Sequence, residues 1–211
     1  MDFLGNLDGM IIGRLKALPT ILPGILIAIT LHELAHGYTA YFLGDNTAKS
    51  QGRLSLNPLV HIDIAGFLFL IIAGFGWAKP VPIDPLNFKN RKSGTILVSI
   101  AGPMTNFLIA GMTLLVLALI PINNRLILNI IVSIVLYNII LGVFNLLPFP
   151  PLDGSKIVAS ILPIKYEMLF YKYHNYLYLI LFALILLGGI DSILGPVIDY
   201  SYNLIIKAIM F

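Results

Sequence analysis

The chain has 211 residues, of which 58% are hydrophobic and only 11% are charged, and its mean hydropathy is +0.93. This composition excludes a soluble globular domain, in which about 25% of residues are charged, and predicts a membrane protein. The net charge of +3 does not predict nucleic-acid binding, because the Lys and Arg residues are scattered between apolar segments, where such residues set membrane topology. Since the chain has no cysteine, a metal site would have to use His, Asp and Glu.

The first half of the chain contains one long and one short apolar segment. Residues 18–43 form the long run and predict a membrane helix. Residues 45–61 are more polar, and alternation at 53–57 predicts a short membrane-associated strand or hairpin. The apolar stretch 62–77 is short for a span, which needs about 20 residues, and predicts a re-entrant segment. Basic residues flank it on both sides, so the positive-inside tendency predicts that both flanks lie in the cytoplasm.

The second half predicts further membrane helices. Strong apolar runs at 96–120 and 126–147 should form an antiparallel pair, and three prolines at 148–151 break the chain after them. A polar stretch with a short helix follows, and residues 176–190 and 193–210 are apolar again. The expected fold is an all-α polytopic membrane protein with about five to six membrane helices, the short strand or hairpin, and the re-entrant segment.

An HExxH pattern interrupts the first apolar run, where the chain reads His32-Glu33-Leu34-Ala35-His36. Helix positions i and i+4 share one face, so both imidazoles can reach one ion at about 2 Å. Glu33 would then sit beside the metal, placed to accept a proton from a bound water. The alternative is a hydrogen-bonded cluster without metal. We favour the metal because apolar residues would provide the same packing at a lower desolvation cost.

Two histidines leave a catalytic zinc short of its usual third protein ligand. Of the other carboxylates and histidines, only Asp153 follows a membrane span after a proline-broken stretch, where irregular backbone could line a hydrated cavity. Asp-Gly is also a common turn pair, so Asp153 could equally be a helix cap or a turn residue. The residues by themselves leave both roles open.

The chain resembles the site-2 protease family of intramembrane zinc metalloproteases over about residues 20–160. The resemblance rests on the order of five motifs, namely HELAH at 32–36, GRLSLNP at 52–58, GWAKPVP at 76–82, AGPMTN at 101–106 and NLLPFPPLDG at 145–154. It implies that Asp153 of the LDG motif is the third zinc ligand. It also implies that Asn145 helps to hold an unwound substrate and that Asn106 lies near the active site. Both asparagines are candidate substrate-binding residues, but an interhelical hydrogen bond is the alternative role, and we favour it for Asn106.

The resemblance implies a zinc endopeptidase that cleaves transmembrane segments of membrane proteins within the cell membrane. Glu33 would be catalytic, and His32, His36 and Asp153 would hold one zinc ion per chain. The expected partners are transmembrane protein substrates and the lipid bilayer, and the oligomeric state stays open. We expect a single membrane-embedded metalloprotease domain over residues 1–211, with a catalytic core at about 18–160 and C-terminal helices at about 174–210. We expect no inserted PDZ-like domain and no appended nucleotide-sensing domain of the kind that larger members carry.

Two other function classes remain as alternatives. A polytopic metal transporter would also carry intramembrane His and carboxylates, but its path should show further ligands, and the spans after residue 95 show none before Asp153. A proteolytically inert membrane scaffold would not need the intact Glu33.

Two histidines lie outside the motifs. His61 could pair with Asp63 and act on the site, although a satisfied interfacial histidine is the simpler interpretation. His174 lies among four tyrosines and predicts an interfacial aromatic belt.

Overall fold

A computed structural model describes the backbone of residues 2–210 and the side chains of residues 11–210. About three quarters of the chain is helical, including two short 3-10 turns at Pro58–Val60 and Pro85–Asn87. Its helices, in chain order, are α1 Asp2–Phe42, α2 Thr47–Ser50, α3 Ile64–Ala73, α4 Arg91–Leu119, α5 Arg125–Asn145, α6 Asp153–Ile161, α7 Ile164–Lys172, α8 His174–Leu186 and α9 Asp191–Met210.

Four segments in the described part of the chain are long and apolar enough to cross a membrane, namely Ile11–Phe42 of α1, Arg91–Leu119, Arg125–Asn145 and Asp191–Met210. A fifth span is present if α7 and α8, which bend by 59° at their junction, count as one broken span. The prediction of a multi-pass all-α membrane protein is therefore confirmed. The count of four or five lies at or below the lower end of the expected range.

The predicted strand or hairpin at 53–57 is wrong. Residues 2–210 contain no strand, and their one isolated bridge joins Ile62 and Ala78. Residues 53–57 are instead held by side chains: Arg53 Nη2 donates to Lys79 O at 2.8 Å, and His61 Nε2 lies 2.9 Å from Ser55 O. A period-two pattern specifies two faces but supplies no partner strand, and here side chains satisfy the backbone instead.

The short apolar segment folds back on itself as a hairpin of residues 62–78. The Asp63 side chain accepts a hydrogen bond from Gly66 N at 2.8 Å and so begins α3, and Gly74 ends it with a φ of +79°. The bridge between Ile62 and Ala78 then brings the two ends together. A Cβ on Gly66 would clash with the Trp77 carbonyl, so only glycine allows the two arms to approach this closely. The hairpin starts and ends at the same place, as a re-entrant segment would.

The centre of the molecule is a bundle of α1, α4 and α5, which all pack against one another. Helix α6 packs on α4, and α9 packs on α4 and α5. Small residues bring the helices close, as where Gly24 of α1 lies against Ser133 of α5. One buried apolar cluster consists of Ala110, Leu117, Val135 and Ile205. The bundle thus encloses the HELAH stretch of α1 between α4 and α6.

Candidate metal centre

Three buried side chains with metal-binding groups converge between α1 and α6. His32 and His36 lie one turn apart on α1, and Asp153 is the first residue of α6. Asp153 Oδ2 lies 3.1 Å from His32 Nε2 and 2.9 Å from His36 Nε2, and the two Nε2 atoms are 2.9 Å apart. Among the described residues, these three form the cluster of His and acidic groups that could hold a metal ion.

The proline-broken stretch explains how Asp153 reaches the two histidines. Prolines 148, 150 and 151 follow the end of α5 and prevent it from continuing, so the chain turns before α6 begins. Leu152, not Asp153, occupies the N-cap position, and the Asp153 side chain faces the imidazoles instead of capping the helix. The N-terminus of α6 also favours a negative charge in its first turn, where Asp153 lies.

The Asp153 carboxyl is held in its ionised form. Burial by itself would raise the pKa of Asp153, but without a metal a proton on Nε2 of His32 or His36 gives Oδ2 a charged hydrogen-bond donor. Together with the nearby positive charge of Lys156, this contact holds the pKa of Asp153 below its ordinary value. A carboxylate must be ionised to act as a metal ligand, so this environment suits that role.

Contacts on the far side of each imidazole set the protonation of its two nitrogens. His36 Nδ1 lies 2.7 Å from Val98 O, and His32 Nδ1 lies 2.6 Å from Asn106 Oδ1. Because a carbonyl oxygen only accepts, each Nδ1 must carry the proton, which leaves both Nε2 lone pairs directed at Asp153 Oδ2 in the neutral rings. Three electron-pair donors that converge in this way need a cation or a proton between them.

A zinc ion fits this arrangement. Two imidazole nitrogens and one carboxylate oxygen are a ligand set of catalytic zinc sites, and tetrahedral ligands about 2.0–2.1 Å from an ion lie about 3.3 Å apart, close to the observed spacing. Helix α4 presents Gly102 to the histidines, where an added Cβ would lie 2.5 Å from His36 Nε2 and 2.7 Å from His32 Nε2. Glycine therefore keeps open the space beside the nitrogens.

Asn106 lies behind His32 and links three helices. Its Nδ2 donates to Ala28 O at 3.0 Å and to Asn138 Oδ1 at 2.9 Å, while its Oδ1 faces His32. The side chain is fully buried, and its polar atoms are paired within the protein, which favours the interhelical role over substrate binding. Sequence reasoning did not single out Asn138, although an asparagine inside an apolar span is the kind of signal that would have found it.

Glu33 lies next to the three candidate ligands and is oriented by a loop distant in sequence. Its Oε2 accepts a hydrogen bond from Val81 N at 2.7 Å. The buried Asp45 carboxylate holds that loop in place because it accepts hydrogen bonds from Asp84 N and Asn87 Nδ2, each at 2.8 Å. Burial would raise the pKa of Asp45, but these hydrogen bonds, with those from Thr47, hold it below its ordinary value.

Three other residues considered in the sequence do not join the cluster. Asn145 is half-buried and donates to Leu141 O of its own helix at 3.0 Å, so its substrate role stays a prediction. His61 does not pair with Asp63, because Asp63 caps α3 and His61 Nε2 faces Ser55 O. His174 begins α8.

Similarity to known proteins agrees with this geometry. A family model described as Peptidase family M50 matches residues 122–188. The Bacillus subtilis (strain 168) protein named "Putative zinc metalloprotease YwhC" is 36% identical over 210 residues, which cover 95% of each chain. Zinc metalloprotease MJ0392 of Methanocaldococcus jannaschii is 30% identical over 148 residues, which are 69% of this chain and 35% of the relative.

A further relative is a Mycobacterium tuberculosis (strain H37Rv) protein named "Putative zinc metalloprotease Rip2", which is 31% identical over 142 residues, or 64% of this chain and 54% of the relative. No solved structure matches the chain. The similarity to the Bacillus protein extends over almost the whole of both chains and so includes both halves of the candidate metal centre. The chain therefore belongs to peptidase family M50, the site-2 protease family, and is a zinc metalloprotease built as a multi-pass membrane protein.

Proposed function

We propose that this metalloprotease cleaves transmembrane segments of membrane proteins inside the cell membrane, with zinc held by His32, His36 and Asp153. The observation that supports this most directly is the depth of the donors along α1. His32 precedes the end of the span Ile11–Phe42 by ten residues, which is about 15 Å of helix. A peptide bond that reaches this point lies within the hydrocarbon region or at its edge, since that region is about 30 Å thick.

Glu33 acts on protons in the proposed reaction. Bound zinc supplies Lewis-acid activation of the water and of the scissile carbonyl. Glu33 stands outside the donor set, so its carboxylate is free to take the proton of the attacking water and to pass it to the leaving amine. Val81 N–H holds one of its oxygens and leaves the other for proton transfer. Asn106 and Val98 meanwhile hold the two imidazoles in one orientation.

A substrate helix has to unwind before it is cut, because its carbonyls are already hydrogen-bonded within the helix. Unwinding in lipid is costly, since each unsatisfied backbone group costs several kcal/mol. Preferred substrates should therefore carry Gly, Pro or Asn near the cleaved bond, because these residues stabilise a helix poorly.

We further propose that the hairpin 62–78 is re-entrant from the cytoplasmic side and that α1 ends there. The paired ends of the hairpin and the basic residues on both flanks support this orientation. The chain has no cysteine, so single cysteines placed at the exposed positions Gln51 and Lys89 can be labelled one at a time. Both should react only from the cytoplasmic side. Labelling from opposite sides would mean that the segment crosses the membrane.

The central test compares cells that produce the parent enzyme with cells that produce Glu33→Gln. Fragments of membrane proteins with new ends inside a transmembrane segment should appear only with the parent. Purified Glu33→Gln should cut such a substrate at least about 100-fold more slowly, the typical contribution of a general base, and should still hold one zinc per chain.

The matched control is Asp199→Asn, which changes an exposed carboxylate on α9 and should leave cleavage unaltered. Parental cleavage by Glu33→Gln, or the absence of parent-specific fragments, would contradict the proposal.

A further inference from the structure

A largely apolar cavity of about 350 Å³ lies beside the middle of α1, one helical turn before the HELAH stretch. It is partly open and is lined by α1, the hairpin 62–78, α5, the end of α8 and the start of α9. Its lining includes the apolar side chains of Ala28, Ile29, Phe67, Trp77, Leu141 and Leu194. Its volume is in the range of about 300–1,000 Å³ found for ligand-binding pockets.

We propose that this cavity is a specificity site for the substrate: it receives a large apolar side chain about two residues from the scissile bond, on the part of the substrate that continues into the membrane. This inference rests on the proposed function, because it takes the occupant to be the chain that is cut. It adds where the substrate binds, which substrate residue is selected relative to the cut bond, and which kind of side chain is preferred there.

The register follows from the spacing on α1. Ala28 and Ile29 border the cavity and precede His32 and Glu33 by one helical turn, which is about 6 Å along the axis. An extended peptide advances about 3.3 Å per residue. A substrate with its scissile bond at Glu33 and its backbone along α1 therefore brings a residue two positions away to the cavity.

The direction follows from the position of the cavity within the span. Its α1 residues, from Leu22 to Ile29, lie farther from Phe42 than the HELAH stretch does, and so deeper in the membrane. The part of a substrate that is still embedded has to extend in that direction. Aliphatic and aromatic walls suit an apolar side chain there.

His61 favours a peptide over a lipid tail as the occupant. Its ring borders the cavity and is fully buried, and its Nε2 donates to Ser55 O at 2.9 Å, which leaves Nδ1 of the neutral ring as an acceptor. Nδ1 has no hydrogen-bond partner among the described residues. Nδ1 has almost no accessible surface in this structure, so a backbone N–H of an unwound peptide would reach it only if the ring shifts when the substrate binds, whereas an acyl chain has no donor to offer.

The test uses two synthetic single-span peptides that carry a Gly-Asn pair at the cut site. They differ only in Leu or Ala at the position two residues into the membrane. The parent enzyme should prefer the Leu peptide by about tenfold in kcat/KM, the discrimination expected of an apolar pocket. Leu141→Trp, which fills the cavity, should abolish or reverse the preference while the enzyme keeps its zinc content.

Two controls separate the cavity from general effects. Leu108→Trp adds the same bulk on an exposed face of α4 and should keep the parental preference. N-methylation of the substrate amide at the selected position removes its N–H without altering the enzyme, and should lower kcat/KM by about tenfold if His61 Nδ1 accepts from it.

The outcomes distinguish the two proposals. If the parent cuts both peptides equally and Leu141→Trp leaves the ratio unchanged, the cavity proposal fails while the proposed function stands. If the zinc-loaded parent cuts neither peptide nor any membrane protein, the proposed function fails as well. Photoreactive phosphatidylcholine that labels the cavity and is not displaced by the Leu peptide would assign the cavity to lipid and overturn the inference.

Discussion

At the candidate metal centre every side-chain nitrogen and oxygen of His32, His36 and Asp153 faces a polar group, whereas one turn away the cavity is lined mostly by aliphatic and aromatic side chains. Both regions share α1. They differ in what their neighbours supply, since α4 and α6 bring acceptors and charges to the first region, and the hairpin 62–78 and α5 bring apolar bulk to the second.

The difference reflects two physical demands. Polar groups inside a membrane protein are costly unless they are paired, so donors that must hold a metal need partners that fix each atom. A surface that accepts varied side chains needs space more than fixed atoms. Changes in the first region should therefore reduce zinc binding, and changes in the second should reduce cleavage or selectivity while zinc is retained.

The largest effect is expected from Asp153→Ala, which deletes a proposed ligand. Zinc affinity should fall by more than the 10- to 100-fold typical of residues that only support a ligand, and cleavage should be lost with it. Chelator competition measures the affinity directly. Phe67→Ala in the cavity wall is the contrasting variant and should keep parental zinc affinity. If Asp153→Ala retains zinc as tightly as the parent, the third ligand lies elsewhere.

A matched pair of glycine substitutions tests the comparison most sharply. Gly102→Ala places a Cβ against both imidazoles and should lower zinc affinity strongly. Gly66→Ala places a Cβ against the Trp77 carbonyl and should open the hairpin 62–78, which should reduce cleavage at unchanged zinc content. Zinc content by elemental analysis and cleavage of the same substrate give both readouts. Zinc loss in Gly66→Ala alone would reverse the assignment of the two regions.

Asn106→Leu should have an intermediate effect, because Asn106 orients His32 without binding the metal itself. We expect a loss of about 10- to 100-fold in zinc affinity or in activity. Asn203→Leu makes the same substitution at an exposed position of α9 and is the matched control. Parental affinity in Asn106→Leu would show that the contact with His32 is dispensable.

The smallest effect is expected from Lys156→Met. Lys156 Nζ donates to Asp153 Oδ1 at 3.0 Å and leaves Oδ2 to face the histidines, but its side chain is 49% exposed. Solvent screening limits such a pair to about 0.2–1 kcal/mol, so zinc affinity should change by no more than about fivefold. Lys165→Met, on the exposed start of α7, should leave the affinity unchanged. A loss in Lys156→Met as large as that in Asp153→Ala would contradict this ranking.

Local spacing along the chain was sufficient to predict several features. The HELAH residues share a face because the helical repeat places i and i+4 together, and the long apolar runs predicted the membrane helices for the same local reason. The shortness of the 62–77 stretch predicted a segment that turns back, and the paired ends of the hairpin agree with it. Local spacing did not assign the role of Asp153. The residues around it allowed either a cap or a ligand, and only the family resemblance favoured a ligand.

Which distant groups meet depends on how the helices pack. The alternating run at 53–57 failed as a strand because a ladder needs a partner that the run cannot specify. Asn106 reaches His32 across 74 residues, and Val81 reaches Glu33 across 48. The cavity likewise exists only because α1, the hairpin, α5 and α9 converge. Such contacts depend on how helices pack against one another, and the periodicity of one segment carries no information about the segment that will lie opposite.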